Sequence, residues 1–257
     1  MRFVCGLMGI LFTALLAVVA FAADEDEALL RKVVAAVEGP FQAGTGKAAA
    51  ISDFQVDFSQ ESEILSLGQK QTASGRAVFK FLCAGESSLV SPLFRWEYRE
   101  PHQQQIVADG KSIWFHIPEN QQAILSDARK SLAGDENANP LAFLTNIDDL
   151  GRFFDIGWAA PRRDEGGNYL LRLLPRGQSP LLQSLVLGVS RKAVEAKGKK
   201  VSFPLHSILL TNVNGDKSLL ILSNPRLNKG IANEDFRFAP PEGTDVLTPE
   251  QFRKAFQ

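Results

Sequence analysis

Residues 94–98 alternate between aromatic and charged side chains, and this alternation restricts the possible folds more than any other feature of the sequence. Phe94, Trp96 and Tyr98 are separated by Arg95 and Glu97. Because successive side chains of a β-strand point to opposite faces, the aromatic residues share one face and the charged residues share the other. Such a strand buries one face and leaves the other in water. The segment therefore predicts an antiparallel sheet with one apolar face.

The same two-residue period recurs along much of the chain. Apolar and polar residues alternate in 51–59 and again in 75–83. Other β-rich runs are 106–108, 111–115, 121–126, 169–174, 182–190, 205–212, 217–223 and 236–238. Asp109-Gly110 and Asn214-Gly215 each separate two such runs, and these residue pairs favour two-residue hairpin turns in which both positions have positive φ. We therefore expect the flanking runs to pair as antiparallel hairpins.

Two segments show the helical period instead. In 24–38, apolar residues recur at helical steps, acidic residues fill the first turn, and Gly39-Pro40 ends the pattern. In 139–154, Asn139-Pro140 is a favourable helix start. The apolar residues that follow it at helical steps are Leu141, Leu144, Ile147 and Leu150. We predict a mainly β (α+β) fold in which a curved antiparallel sheet forms an incomplete barrel, covered by these lid helices around an apolar cavity.

Residues 1–22 have the features of a secretory signal peptide. Arg2 is followed by an uncharged run, and Ala20-Phe21-Ala22 forms an Ala-x-Ala cleavage site. We expect export, cleavage after Ala22 and one mature domain at 23–257. An uncleaved anchor is the alternative, although the run is short for a bilayer, which needs about 20 residues. Loss of Arg2, the one charged residue in 1–22, changes the net charge from −1 to −2, which argues against non-specific nucleic-acid binding.

The sequence lacks the residue patterns that are typical of enzymes and metal sites. The chain has three histidines, His102, His116 and His206. None of them has a second His or Cys at the sequence spacing that is typical of metal ligands. No nucleophile elbow or phosphate-binding loop is present. Cys83 is the only cysteine after residue 22, so the mature chain cannot form an internal disulfide. We therefore expect neither catalysis nor a bound metal or cofactor.

Apolar side chains at alternating strand positions form the candidate binding surface. The chain has 18 Phe and 2 Tyr, and Phe can line a site without needing a hydrogen-bond partner. An ordinary packed core would show the same pattern. The residues that we expect to line an apolar cavity are Phe54, Val56, Phe58, Phe79, Phe81, Phe94, Trp96, Ile113 and Phe115.

Four segments, in order along the chain, resemble the LolA-like periplasmic carriers of lipoproteins in Gram-negative bacteria. They are 53–60, which ends in Phe58-Ser59-Gln60; 94–114; Asn139-Pro140-Leu141 with Leu144; and 236–246, with Phe-x-Phe-x-Pro-Pro-x-Gly spacing. The resemblance implies an incomplete barrel closed by helices. It also implies a monomeric carrier that binds the acyl chains of lipoproteins and moves them from the inner to the outer membrane. The implied partners are acylated lipoproteins, an inner-membrane lipoprotein-releasing ABC transporter complex and an outer-membrane acceptor.

One position departs from the family pattern. Well-studied carriers have an Arg-Pro pair before the aromatic strand, and that Arg helps to hold the lid closed. This chain has Ser91-Pro92 there, after an apparent insertion at 82–90. The family latch therefore cannot be carried over. A periplasmic sensor or regulator, a carrier of another apolar lipid and a structural interaction module with a filled core are the alternatives.

Overall fold

The computed structural model describes residues 25–42, 50–81, 92–128, 142–177, 179, 181–196 and 201–255. Within these residues the strands are β1 (Asp53–Ile64), β2 (Gln69–Lys80), β3 (Leu93–Glu100), β4 (Gln104–Ala108), β5 (Ser112–Ile117), β6 (Gln122–Asp127), β7 (Phe154–Arg163), β8 (Tyr169–Pro175), β9 (Leu182–Val189), β10 (Leu205–Asn212), β11 (Lys217–Leu227) and β12 (Asp245–Leu247). The helices are α1 (25–38), α2 (Ala142–Thr145), α3 (Leu150–Phe153), α4 (Arg191–Glu195) and α5 (Pro249–Ala255). Short 3-10 turns occur at Gly39–Phe41, Leu65–Leu67, Pro118–Asn120 and Asn233–Phe236.

All the described strands belong to one sheet. Its order is β12-β6-β5-β4-β3-β2-β1-β11-β10-β9-β8-β7. Neighbouring strands are antiparallel except β12, which runs parallel to β6. β1 lies in the middle and pairs with β2 on one side and β11 on the other. The mainly β fold with an open, curved antiparallel sheet is therefore confirmed, and β1 joins its two halves.

The strand register places the predicted apolar residues on one face, which we call the inner face. Phe54 pairs with Phe79, Phe79 with Phe94, and Phe94 with Ala108. The next row starts with Val56 and passes through Ala77, Trp96, Ile106 and Phe115. Because directly paired residues point to the same face, each row forms a continuous apolar band across several strands.

Both predicted hairpins form, but the predicted two-residue turns are wrong. Residues 109–111 join β4 to β5, and in this loop Gly110 has positive φ (87°) whereas Asp109 does not. Oδ1 of Asp109 accepts hydrogen bonds from the amides of Lys111 and Ser112 at 2.9 and 2.7 Å. The side-chain carboxylate of Asp109 therefore accepts hydrogen bonds in the turn, as a backbone carbonyl would. The loop has three residues instead of the predicted two.

The hairpin at Asn214-Gly215 follows the same principle. Residues 213–216 join β10 to β11, and Gly215 has φ 88°. Oδ1 of Asn212 accepts from the amides of Asn214 and Asp216, both at 2.9 Å. Only one position in each loop requires positive φ, and a glycine occupies it.

The single helix predicted for 139–154 is wrong within the part that is described. Two short helices, α2 and α3, are separated by a turn at 146–149. The amide of Asn146 donates to the carbonyl of Phe143, and the amide of Asp149 donates to the carbonyl of Asn146. Asn and Asp compete with the helical backbone pattern through such local turns. Asn139, Pro140 and Leu141 lie outside the described residues.

A C-terminal segment, residues 228–244, crosses the outer face of the first half of the sheet and leads into β12. The buried carboxylate of Asp53 accepts from the amides of Lys229 and Gly230 at 2.7 and 3.1 Å. Arg95 donates to the carbonyls of Asp235 and Arg237 at 2.9 and 3.0 Å. The strand predicted at 236–238 is wrong, because these carbonyls bind the Arg95 guanidinium instead of joining a ladder.

Candidate functional site

The inner face of the sheet begins with a stack of three phenylalanines. The ring centroids of Phe54 and Phe79 are 5.0 Å apart, and those of Phe79 and Phe94 are 5.4 Å apart. Phe203, which precedes β10, lies 4.9 Å from Phe54. All of these rings are buried. Offset stacking of this kind adds to the favourable free energy of burying the rings.

The second band is centred on Trp96. Its ring stacks on Phe58 with a centroid distance of 4.5 Å, and Tyr98 meets Phe58 edge-on at 5.2 Å. Trp96 has 0% of its surface exposed. Phe115 continues this band but is only half-buried. The inner face is therefore closed over Trp96 and more open at Phe115.

Two elements outside the sheet cover this face. Val33 and Val37 of α1 are fully buried and belong to the same apolar cluster as the phenylalanine stack. Leu144, Ile147 and Leu150 belong to it as well. These three come from residues 142–153, which we call the lid segment. The expected lid residue Leu141 lies outside the described residues.

Hydrogen bonds join the lid segment to the chain around α1. Nε2 of Gln42 donates to the carbonyl of Asp148 at 2.7 Å. Oε1 of Glu38 accepts from the amide of Gly151 at 3.3 Å. At its other end α1 is tied to β7 through an ion pair between Asp26 and Arg162. Ser91, which replaces the expected latch residue in the sequence, lies outside the described residues.

The carboxyl of Glu38 has an unusual ionisation. Burial is the main cause that raises its pKa above the ordinary value, and the nearby carboxylates of Asp149 and Asp148 add to this effect. Hydrogen bonds from the amides of Gly151 and Leu150 oppose it. In the contact between Glu38 and the lid segment, the hydrogen bonds are therefore favourable, whereas the partly buried negative charge is unfavourable.

Most of the expected cavity residues come together on the inner face. Phe54, Val56, Phe58, Phe79, Phe94, Trp96 and Ile113 are buried in the same cluster. Phe81 lies against it and is partly buried, with its ring 5.1 Å from Phe41. Phe115 is on the inner face but outside the cluster. In the structure these positions are covered by α1 and the lid segment; their role in ligand binding stays a prediction.

Sequence reasoning missed the second half of this apolar surface. Leu171 and Leu173 of β8 pair with Leu187 and Leu185 of β9, and all four are buried in the same cluster. The alternation in 169–174 and 182–190 predicted these strands, and it could also have placed their leucines on the inner face. The same signal extends to Phe203, because Val201, Phe203 and Leu205 recur at every second position at the start of β10.

The described residues contain no group of three or more His, Cys, Asp or Glu side chains that could hold a metal ion. His116 is buried on the outer face, where its ring lies 5.1 Å from that of Phe238, and burial lowers its pKa. Among the described residues no helix is long and apolar enough to cross a membrane. Among the described residues, the covered apolar face is therefore the main candidate for a binding surface.

Comparisons with known proteins identify a family and several similar proteins. A family model described as outer membrane lipoprotein carrier protein LolA matches residues 49–239. The chain is 25% identical over 207 residues to an outer-membrane lipoprotein carrier protein of Chromobacterium violaceum. This alignment covers 80% of this chain and 91% of that protein. It is 28% identical over 196 residues to the protein of the same name from Xanthomonas axonopodis pv. citri, which covers 76% and 81%. A LolA superfamily structure from Nitrosomonas europaea aligns with a TM-score of 0.39 and 14% identity over 83% of this chain and 97% of that one.

Proposed function

Because the chain belongs to the LolA family of outer-membrane lipoprotein carrier proteins, we propose that it is a periplasmic carrier for lipoproteins. In this proposal, the acyl chains of a lipoprotein bind against the inner face, in place of the lid segment. The protein carries no catalytic activity and works by binding and release. Export with cleavage after Ala22 would place the mature chain in the periplasm as a monomer.

The observation that carries this proposal is an apolar face whose cover is made of short, separate elements. Leu144, Ile147 and Leu150 are buried in the same apolar cluster as the phenylalanine stack and Trp96, without belonging to any strand. The sheet is held by main-chain hydrogen bonds between strands, whereas the lid segment is held mainly by side-chain packing and by individual hydrogen bonds with Gln42, Glu38 and the amide of Arg176. Acyl chains can therefore replace the lid segment without breaking the sheet.

Physical chemistry explains why such a carrier is needed. Each acyl methylene that is exposed to water costs about 0.8 kcal/mol. A lipoprotein with several acyl chains therefore does not cross an aqueous compartment unaided. A carrier must also give up its cargo, so the apolar contacts that reform when the lid closes offset part of the binding free energy.

The proposal includes a partner on each membrane. An inner-membrane lipoprotein-releasing ABC transporter complex would load the protein, and an outer-membrane acceptor would receive the cargo. Neither partner needs to unfold the sheet, since the covering elements alone must move. A lipoprotein sensor or a carrier of another apolar lipid would use the same face. The release assay distinguishes both of them from a lipoprotein carrier.

The test is a release assay with purified mature protein and inner-membrane vesicles that carry the releasing complex and lipoproteins. We expect ATP-dependent appearance of lipoproteins in the soluble fraction, bound to the protein. Phe115→Asp should reduce release at least about tenfold, because it places a carboxylate where acyl chains would lie. Phe115 is half-buried, so this variant should still fold.

A matched control is Leu125→Asp, which adds the same charge to the outer face of β6 at a residue that is 37% exposed. We expect normal release and a melting temperature close to that of the wild type. Equal loss of release in both variants would contradict the assignment of the inner face. Binding of lipoproteins without any release would favour the sensor, and binding of phospholipid alone would favour another lipid as cargo.

A further inference from the structure

A cavity of about 570 Å³ lies at the end of the sheet where β1 and β2 approach their connecting turn. Gln60 and Ser62 of β1, Gln71 of β2, and Tyr98 and Gln104 of β3 and β4 contribute to its lining. The register places these five side chains on the inner face, in line with Phe58 and Trp96. The cavity is therefore an open depression that adjoins the apolar inner face at its polar end.

The polarity of the inner face changes at Tyr98. Its ring contacts Phe58, while its hydroxyl donates to Oε1 of Gln60 at 3.0 Å. Nε2 of Gln60 donates to Oγ of Ser62 at 2.9 Å, and that oxygen lies 2.8 Å from Oγ of Ser218. Phenylalanines and Trp96 thus occupy one end of the face, and amides and hydroxyls occupy the other. A surface with this gradient suits an amphiphile that lies along it.

The polar end is uncharged where it faces inward. The described lining residues include no Lys or Arg. Glu100 and His102 are exposed at the rim, and His102 is paired with Glu119 at 3.0 Å. Phosphate and carboxylate head groups are bound in proteins by Arg, Lys or helix N-termini. The lining offers amide N–H groups and hydroxyls instead, which suit neutral carbonyl oxygens.

Free donors are present in this lining. The side-chain amides of Gln71 and Gln104 make no hydrogen bond to another described residue, and Nε2 of Gln60 has a second hydrogen beyond the one given to Ser62. Burial raises the pKa of Tyr98 above its ordinary value, so its hydroxyl stays protonated at neutral pH. The hydrogen bonds among Tyr98, Gln60, Ser62 and Ser218 therefore lie within the protein. The remaining side-chain amide N–H groups can donate to a ligand.

We propose that this cavity is a subsite for the uncharged ester and amide carbonyl groups that join acyl chains to a lipoprotein, with the chains extending along the inner face toward Trp96. The inference rests on the proposed carrier function and adds a selectivity to it. Lipids whose head carries a phosphate or a free carboxylate bind less tightly than a neutral diacyl head with the same chains.

The test compares probes that share chains but differ in head group, using the mature wild-type protein. A synthetic N-acetyl-S-(dipalmitoylglyceryl)cysteinyl peptide without charged residues, which has both ester and amide carbonyls, should bind at least about fivefold more tightly than dipalmitoyl phosphatidylglycerol, as expected for one additional net hydrogen bond. Dipalmitoylglycerol has the ester carbonyls but no amide, so its affinity shows which of the two carbonyl types the subsite binds. Equal binding of dipalmitoylglycerol and the lipopeptide assigns the subsite to the esters, and weaker binding of dipalmitoylglycerol assigns it to the amide.

Variants then test the lining itself. The double variant Gln71→Leu/Gln104→Leu should weaken lipopeptide binding by about fivefold for each lost hydrogen bond. It should leave binding of N-phenylnaphthylamine, a fluorescent hydrocarbon-like probe without such a head, unchanged. Gln55→Leu makes the same substitution on the outer face, where Gln55 pairs with Val78, and should change neither affinity. Melting temperatures of all variants verify that they are folded.

Each result has a separate meaning. Equal affinity for phosphatidylglycerol and lipopeptide, or unchanged lipopeptide binding in the folded double variant, would overturn the subsite. Binding of N-phenylnaphthylamine and of lipopeptide in those same experiments would leave the carrier function intact. If the wild-type protein binds neither probe, the proposed function itself fails and the subsite fails with it.

Discussion

Truncation of Leu144 to alanine should tighten ligand binding while it destabilises the free protein. Leu144 is 2% exposed and lies in the apolar cluster between the lid segment and the sheet. Removing a buried leucine side chain costs about 2–5 kcal/mol of folding free energy. If acyl chains displace the lid segment, the loaded protein does not contain this contact. The cost then falls on the free, closed state alone.

The size of the effect follows from a population shift. A ligand that binds only after the lid opens has an apparent affinity that is reduced by the small fraction of open protein. Destabilising the closed state by about 2 kcal/mol raises that fraction roughly 30-fold, since 1.4 kcal/mol corresponds to a factor of ten. We expect Leu144→Ala to bind a fluorescent fatty-acyl probe at least about tenfold more tightly than the wild type. Transfer of the probe to acceptor vesicles should slow accordingly.

Leu93→Ala is the matched control. Leu93 is also 2% exposed, but it lies on the other face of β3 and outside the inner cluster. Both variants should lose similar stability in chemical denaturation, and only Leu144→Ala should gain affinity. Hydrogen exchange in the lid segment should rise when the probe binds the wild type, while the strands stay protected. Unchanged or weaker binding by Leu144→Ala, with a lid segment equally protected in both states, would refute the displaced lid.

Three further substitutions test the local physics of the fold. Glu38→Gln should make the protein more stable than the wild type at pH 7 but not at pH 3.5, as measured by denaturation midpoints. The raised pKa of Glu38 means that its stabilising contribution is fully present below pH 4.5 and is lost as the pH rises through the pKa of the folded state; lower stability of the variant at pH 7 would show that the lid contact needs the charge. Gly75→Ala should cost about 1–3 kcal/mol or more, because its Cβ would lie 1.9 Å from the carbonyl oxygen of Glu97. Gly157→Ala, whose Cβ would meet nothing within 4 Å, should stabilise by about 0.4–1 kcal/mol; equal melting temperatures for the two glycine variants would contradict this difference.

The sheet could be predicted from the sequence because alternation reports directly on which face is buried. In β3 every second residue is aromatic, and in β1 the same period holds from Phe54 to Phe58. The edge strand β7 was missed because its composition hides this signal. Gly157, Ala159 and Ala160 are small, and Pro161 is tolerated there since an edge strand leaves some amides without a ladder partner. Only its pairing with β8 identifies it as a strand.

The lid segment shows where periodicity alone is insufficient. Leu144, Ile147 and Leu150 follow three-residue steps, which a continuous helix and a series of tight turns satisfy equally well. The turn at 146–149 contains Asn146, Asp148 and Asp149, whose side chains favour local turns over helix. The three apolar residues still reach the same cluster. Their burial was therefore predictable from spacing, whereas the backbone that achieves it was not.

The contrast between sheet and lid segment also bears on how a carrier can bind strongly and still release. Strand pairing keeps the inner face in place whether or not a ligand is present. The lid segment contributes only apolar side chains to the buried cluster, and those of Leu144, Ile147 and Leu150 are aliphatic like an acyl chain. In the proposed exchange of one for the other, the buried apolar area changes little, so we expect the net affinity to be a small difference between two large terms. In this proposal the hydrogen bonds through Gln42 and Glu38 favour the closed state, and the cost of a buried charge at Glu38 opposes it.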